Sequence, residues 1–585
     1  MKVYKNYSNR KFVIGGVAVG IILIYLIRLL TLQLFSDDYK KNADSNAFRK
    51  DVLFPSRGLI FARNGELLVY NEPSYNIMVT MNEQHGIDTL DFCRTIGITP
   101  EFYKQRCEEI KDPKKNPGYS RYTPQVFMTQ IPAREFSLFR EKLFRFNGFS
   151  IEKRSIRRYA DSFAAHILGD VGEVNQKEID TDPYYASGDY IGKLGVERSY
   201  EKILRGEKGL RIMLRDVHGR TKGHYLNGKY DKNPVAGKNL TLSIDIKTQQ
   251  LAERLLEGKL GAIVAIEPST GQIICMASSP TYNPQIMVGR DRGRNHMILD
   301  KDPMKPMLNR AIMGMYPPGS TFKLLVALEY IREHPADWQS FSYTCKGEYV
   351  DPENSSYVVH CYNGEVHGKV DLESAIADSC NSAFAKLGTE IDSTRLKALA
   401  ESFYYNQKID IGLSANAGQF TLAENADVWD KMQTAIGQGA TLCTPLQNLC
   451  MVSAIANGGN LVYPSLLASV QNANGTTVKE FPYGESHSLL SQGESDALKQ
   501  FMRKVVTEGT ASVLKTDAYK VCGKTGSAQV KVGSELKTNA WFVGFAPMED
   551  PEIAISVIVE EGETGGKTAA PIARKVLDHY FHKNE

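Results

Sequence analysis

The chain has 585 residues, 42% of them apolar and 23% charged, with a formal net charge of +3. That length exceeds one hydrophobic core and asks for two to four domains, and the composition excludes a disordered or fibrous polymer. The nearly balanced charge, with no basic run interleaved with aromatics and no glycine-rich phosphate loop, argues against nucleic-acid and nucleotide binding.

Residues 12–34 form an apolar run of 23, of which 15 are Phe, Val, Ile or Leu. At about −0.3 to −0.6 kcal/mol each, these outweigh the roughly 3 kcal/mol cost of Arg28, which sits toward the outer end and can snorkel. The run is long enough to cross a bilayer. No small-x-small cleavage site follows in Gln33–Asp37, so an uncleaved anchor is expected rather than a signal peptide. Lys2, Lys5, Arg10 and Lys11 precede it without an acid. The positive-inside rule then keeps a tail of residues 1–11 in the cytoplasm and exports the rest.

Residues 35–232 alternate strand-like stretches such as Ser74–Thr80 with charged helical ones, and 83–150 is the more helical part, an inserted head lobe. Asp231–Lys238 is polar and broken by Pro and Gly, so it is the best linker. From Asn239 the pattern is α+β. Ala262–Ile266, a Pro-Ser-Thr-Gly turn and Gln272–Met276 read as a hairpin. Residues 320–515 are mainly helical, strands return at Ala540–Phe545 and Ile553–Glu560, and Ala569–Phe581 closes as a helix. This order predicts a sheet built from both ends of the domain with a helical subdomain between them.

The chemistry begins at Tyr316-Pro317-Pro318-Gly319-Ser320-Thr321-Phe322-Lys323. Residues i and i+3 share a helix face, so Lys323 lies beside the hydroxyl of Ser320 at a helix start. The following Leu324-Leu325-Val326-Ala327-Leu328 is apolar all round, as a buried helix is. Burial disfavours a charged lysine, and a neutral amine beside a hydroxyl is a general base beside a nucleophile. Ser-x-x-Lys alone is weak, since it recurs at Ser8, Ser150, Ser199, Ser512 and Ser534. Two further elements sharpen it: Ser379-Cys380-Asn381, starting 59 residues after Ser320, and Lys524-Thr525-Gly526-Ser527, 145 residues after Ser379. Taken alone, Ser379 and Asn381 read as a helix cap.

That ordered set is the signature of the penicilloyl-serine transferases, which include β-lactamases and penicillin-binding proteins. Leu308–Ala311, Gly437-Gln438-Gly439 followed by Thr444-Pro445-Leu446-Gln447, and Ala540–Pro547 resemble class B penicillin-binding proteins. Arg57-Gly58, Arg63-Asn64-Gly65 and Tyr190–Gly206 resemble the penicillin-binding protein 2 family, the elongation transpeptidases. One departure is Ala62, where relatives carry an aspartate. The resemblance implies a β-lactamase-like α+β transpeptidase domain over 239–585, with an antiparallel sheet and a helical subdomain. Ahead of it come an elongated, non-catalytic, dimerisation-like α+β pedestal over 35–232 and the anchor over 12–34.

It also implies roles. Ser320 is the nucleophile and Lys323 its base. Lys524 arrives from the opposite strand and depresses Lys323 further. Ser379 relays a proton to the leaving amine, and Asn381 holds the donor amide oxygen. Thr525, Gly526 and Ser527 line the subsite for the D-Ala-D-Ala carboxylate. The N–H groups of Ser320 and Ser527 form an oxyanion hole. The reaction is two-step acyl transfer cross-linking peptidoglycan stem peptides, with β-lactams stalling on Ser320. Acyl transfer needs no cofactor. Partners by resemblance are a SEDS-type glycosyltransferase and other elongation proteins at the inner membrane, with the catalytic domain in the periplasm.

Nine cysteines are many for an exported chain. Cys345, Cys361, His367 and Cys380 have the composition of a closed structural zinc site. On spacing alone a Cys345–Cys361 disulfide, in an oxidising compartment, or buried thiols are the plainer readings, and His360 competes as a ligand. Some members of the family carry metal ligands at matching positions, with acids replacing two cysteines. A soluble β-lactamase would need neither anchor nor pedestal. A bifunctional class A protein would need a Glu-Asp-x-x-Phe pattern that 35–232 lacks. A division-type transpeptidase and a non-catalytic scaffold are the remaining alternatives.

Overall fold

The computed structural model of the chain describes residues 10–34, 48–116, 119–215, 221–482 and 484–582. Most of the expected cytoplasmic tail lies outside them. The chain divides into two compact units: one holds residues up to Ser56 together with Gly206–Ala236, the other Arg57–Arg205 with Gly237 onward.

In the first unit, Arg10–Leu34 is one helix, and its Phe12–Leu30 stretch is long and apolar enough to cross a membrane. A three-stranded antiparallel sheet runs Phe48–Leu53, Gly209–Arg215, Thr221–His224. The Asp231 carboxylate holds it closed, accepting from Ile212 N–H at 2.9 Å and meeting His224 Nδ1 at 2.7 Å.

In the second unit, a seven-stranded sheet runs in the order Thr477–Glu480, Leu467–Gln471, Asn239–Leu242, Ile60–Phe61, Leu67–Val79, Gln125–Pro132, with Phe149–Tyr159 also paired to Leu67–Val79. Leu240 pairs in parallel with Ile60. Segments on both sides of the Asp231–Lys238 stretch therefore share one sheet. The close approach depends on Gly58, where a Cβ would fall 1.9 Å from the Lys238 carbonyl oxygen. Beside it lies a buried ion cluster. Arg57 reaches Glu197 and Glu201, both at 2.6 Å, and Arg157 reaches Glu197 at 2.8 Å. The Arg57-Gly58 and Tyr190–Gly206 stretches, far apart in sequence, are two halves of this one joint. A separate core runs from Ile77 to Phe149, in which Phe127, Phe139, Phe146 and Phe149 pack around Phe92.

A second sheet in this unit has five antiparallel strands in the order Ile273–Ser279, Gly261–Ile266, Ile553–Val559, Glu535–Ala546, Cys522–Val532. The first three are buried at every position, as strands covered on both faces are. Helices Ile246–Leu255, Pro445–Ala456 and Ala570–His582 pack on them. The expected hairpin and the return of the chain at its end are both present. The closing helix begins one residue later than expected because a π-turn, Gly565–Ala569, precedes it. Cys522–Val532 is the sheet's edge strand. Its free edge faces the helical subdomain.

Candidate active site

Ser320 sits on a tight turn that leads into a buried helix. Gly319–Thr321 is a 3₁₀ turn, and Lys323–Glu333 continues it as an α-helix buried from Lys323 through Glu329. Gly319 enters the turn at φ +55°, a conformation that favours glycine. Three bonds fix the turn: Gly319 N–H to Gly437 O at 2.9 Å, Trp541 Nε1–H to Pro317 O at 3.0 Å, and Thr321 Oγ1–H to Pro318 O at 2.8 Å. Gly526 brings the edge strand against it, since a Cβ there would lie 3.2 Å from both Pro318 O and Thr321 Cγ2.

The Ser379-Cys380-Asn381 stretch joins helix Leu372–Ala377 to helix Asn381–Glu390. Cys380 is the cap of the second helix, its sulfur accepting from Ala383 N–H at 3.5 Å. That leaves the flanking side chains free of capping duty. Ser379 is held at φ +57°, a left-handed conformation rare outside glycine and costly, as positions poised for chemistry often are.

Lys323 and Lys524 are both fully buried and converge on this turn. Lys323 Nζ donates to Ser379 O and to Asn381 Oδ1, each at 2.7 Å, and lies 3.4 Å from Ser379 Oγ. Lys524 Nζ donates to Ser379 Oγ at 2.9 Å and to Thr525 O at 3.0 Å. The Ser379 hydroxyl thus lies between two amines. Burial brings Lys323 down to about 8, against the opposing pull of the Cys380 and Cys361 thiols. Burial, then the neighbouring charge of Lys323, holds Lys524 well below the lysine range. Ser320 is half-buried. Among the described residues its hydroxyl makes no hydrogen bond. Helical spacing predicts Ser320 as the partner of the Lys323 amine; packing gives that amine to Ser379 and Asn381 instead.

Thr525 and Ser527 follow on the strand. Thr525 Oγ1 is hydrogen-bonded to Thr510 Oγ1, and Ser527 Oγ accepts from Gly565 N–H at 3.3 Å. The Gly565 backbone sits on the strand so closely that a Cβ would fall 2.6 Å from Gly526 O. Sequence reasoning missed Thr510 and Gly565, which carry no motif of their own. Asn381 has one amide hydrogen on the His360 carbonyl at 3.0 Å and another left over for a ligand.

Cys345, Cys361, His367 and Cys380 form one group whose ligand atoms all lie within 4.8 Å of one another. Cys345 and Cys361 are free thiols 3.7 Å apart, Cys361 and Cys380 are 3.9 Å apart, and Cys345 lies 3.3 Å from His367 Nδ1. The Ser382 hydroxyl touches all three sulfurs, at 3.1, 3.4 and 3.2 Å. Hydrogen bonding from Cys380, ahead of the opposing effect of burial, brings Cys361 down to about 4. His360 is outside the group, its ring 3.2 Å from Glu348.

A family model described as the penicillin-binding protein transpeptidase domain matches residues 261–578, and one described as the penicillin-binding protein dimerisation domain matches residues 52–242. The peptidoglycan D,D-transpeptidase MrdA of Acinetobacter baumannii is 33% identical, over 98% of this chain and 88% of its own. PBP2 of Helicobacter pylori, solved in complex with MreC, is 26% identical with a TM-score of 0.76, over 92% of this chain and 100% of its own. PBP2 of Pseudomonas aeruginosa, solved with WCK 5153, is 27% identical with a TM-score of 0.67, over 91% and 96% respectively. Two lysines and a hydroxyl converging beside a serine turn, behind a matched dimerisation domain, agree with these likenesses: the chain belongs to the penicillin-binding proteins, in the MrdA (PBP2) family of peptidoglycan D,D-transpeptidases.

Proposed function

We infer that this protein cross-links peptidoglycan stem peptides during cell elongation, through an acyl-enzyme on Ser320. The observation that carries the reading is the Ser379 hydroxyl between the Lys323 and Lys524 amines, next to the Ser320 turn. Lys323, neutral in a substantial fraction near pH 8, takes the Ser320 proton as Oγ attacks the penultimate D-Ala carbonyl. The oxyanion is met by the N–H groups of Ser320 and Ser527; one such donor is typically worth ~3–4 kcal/mol of barrier. Ser379 passes the proton to the departing D-Ala nitrogen. The C–N bond breaks and D-Ala leaves; an amine from a second stem then attacks the ester carbonyl, loses its proton to Lys323, and forms the new amide as the ester C–Oγ bond breaks and Oγ takes the proton back from Lys323. Thr525 and Ser527 hold the terminal carboxylate, Gly526 keeps the strand close, and Asn381 gives its remaining hydrogen to the donor amide oxygen.

The edge strand supplies the donor's alignment. An extended peptide adds to a free strand edge by backbone pairing. The penultimate D-Ala would pair with Ser527, its N–H donating to Ser527 O while its carbonyl enters the oxyanion hole.

The four-residue Cys/His group fits a structural zinc ion. Three thiolates and an imidazole are a closed zinc set with arms of about 2.3 Å to sulfur, which gives sulfur–sulfur edges of about 3.8 Å. The separations of 3.7 and 3.9 Å match. Zinc there would supply cross-bracing and no acyl-transfer chemistry. Because Cys380 lies between Ser379 and Asn381, the brace would hold both.

Residues 35–232 serve as the pedestal and 239–585 as the catalytic domain, with the anchor's N-terminus in the cytoplasm and the rest in the periplasm. Lys2, Lys5, Arg10 and Lys11 support that orientation. The H. pylori complex supports an MreC-type partner. A SEDS-type glycosyltransferase would supply the strands to be linked. The test is intact-mass analysis after penicillin. One adduct per chain is expected, lost in Ser320→Ala; an adduct persisting in that variant removes Ser320 from the scheme. Depletion giving round cells supports elongation, and filaments would assign the protein to division.

A further inference from the structure

The free edge of the Cys522–Val532 strand does not stay free for its whole length. The Gln438 carboxamide, oriented to satisfy both its ends, accepts from Gln529 N–H at 3.1 Å and donates to Gln529 C=O at 3.3 Å. This is the bond pair one residue of an added antiparallel strand would make. Outward-facing backbone groups alternate along a strand, so Gln529 and Ser527 face the same edge. Gln529 pairs on its other side of the ladder position with Thr538 and Ser527 with Ala540, two registers apart. The Gln529 rung therefore lies about 6.6 Å beyond the Ser527 rung.

The position of Gln438 is built. It is flanked by Gly437 at φ +72° and Gly439 at φ +73°, and its own N–H bonds Gln433 O at 2.9 Å. Gly437 O takes the N–H of Gly319, so the loop is tied to the nucleophile's turn. A Cβ on Gly437 would lie 2.0 Å from Gly319 O. The side chain is thus fixed relative to Ser320 and spans from that turn to the strand edge.

We propose that Gln438 determines peptide specificity by ending backbone pairing after a single rung. This rests on acyl transfer at Ser320 as set out above. In an antiparallel addition, the residue two before the penultimate D-Ala would fall opposite Gln529 and find its hydrogen bonds already taken. A continuous α-linked chain would have to break them to run on along the edge. A donor whose chain turns away after its third residue from the C-terminus, as one joined through a side-chain carboxyl or a branch does, loses nothing. Gln438 so denies ordinary polypeptide the advantage over branched or side-chain-linked donors that further pairing would give it, and it blunts an edge that any extended segment could otherwise join.

Two probes differ only in length: Nα,Nε-diacetyl-L-Lys-D-Ala-D-Ala, and the same peptide with two α-linked L-Ala residues ahead of its lysine. D-Ala release is followed for the full-length wild type and Gln438→Ala in detergent. The ratio of kcat/KM, long over short, is the readout, because general damage to the site cancels in it. The wild-type ratio should be near one. In Gln438→Ala it should rise about tenfold, the worth of one to two net backbone hydrogen bonds. The flanking glycines are untouched, so the variant keeps its loop. Amide hydrogen exchange at Gln529 in the resting protein reads the contact without substrate, and should quicken in the variant. An unchanged ratio, or exchange at Gln529 that ignores the substitution, overturns the inference while leaving acyl transfer standing. Release of D-Ala from neither probe by a wild type that penicillin also fails to acylate overturns acyl transfer at Ser320, and the inference with it.

Discussion

Replacing Ser379 by alanine isolates the proton path from the fold. The Oγ atom takes the 2.9 Å bond from Lys524 and stands 3.4 Å from Lys323. Its loss leaves Lys524, among the described residues, with Thr525 O alone, at 3.0 Å. Lys323 keeps both its shorter bonds, because one goes to the Ser379 backbone carbonyl and the other to Asn381. The φ of +57° strains alanine much as it strains serine. Two buried hydrogen bonds are therefore lost, the 2.9 Å one from Lys524 and the weaker 3.4 Å one from Lys323, at about 1–3 kcal/mol of stability. The chemical loss is larger: acid–base transfer is worth on the order of 10²–10⁴ in rate, or about 3–5 kcal/mol of barrier. Acylation by a fluorescent penicillin, followed by stopped flow, should slow by that factor while the melting temperature falls only a few degrees. Ser379→Cys, which keeps a transferable proton, should retain more of the rate. An alanine variant that is folded and acylated within threefold of the wild type would refute a role for this hydroxyl in proton transfer.

The acylation rate should rise with pH through about 8 and level off above it, because the working form of Lys323 is the neutral amine and burial sets its titration there. A flat profile from pH 6 to 9 would remove Lys323 as base. Gly437→Ala and Gly439→Ala should differ sharply, although both glycines have φ near +72°. A Cβ at 437 meets Gly319 O at 2.0 Å, whereas at 439 the nearest atom is 3.5 Å away. The first should cost about 2–4 kcal/mol and disable Ser320, the second about 1 kcal/mol; equal melting temperatures would contradict this close approach. Plasma emission on protein from zinc-replete medium should find one zinc per chain, lost in Cys345→Ser, and a chelator should lower the melting temperature. A metal-free wild type would exclude the ion.

Much of this protein is legible along the chain because the signals are local. The apolar run at 12–34 is a matter of length and composition, the hairpin at Ala262–Met276 of a turn between apolar strands, and the burial of Lys323 of the all-apolar helix it begins. The order of three short motifs was enough to point to acyl transfer, and four spaced Cys and His residues to a cluster that does assemble. Distant packing decided the rest. Which partner Lys323 takes depends on where a loop 56 residues away is held, and the answer is Ser379 and Asn381. That the cap of the following helix is Cys380 depends on a left-handed turn at Ser379, a residue whose type does not announce it. Thr510, Gly565 and Gln438 reach the edge strand from three separate elements, and each matters through contacts that no spacing rule encodes. Lysine becomes a base here by being buried. Burial is a property of the whole packed domain, so the sequence could name the amine while only the tertiary structure could take away its water.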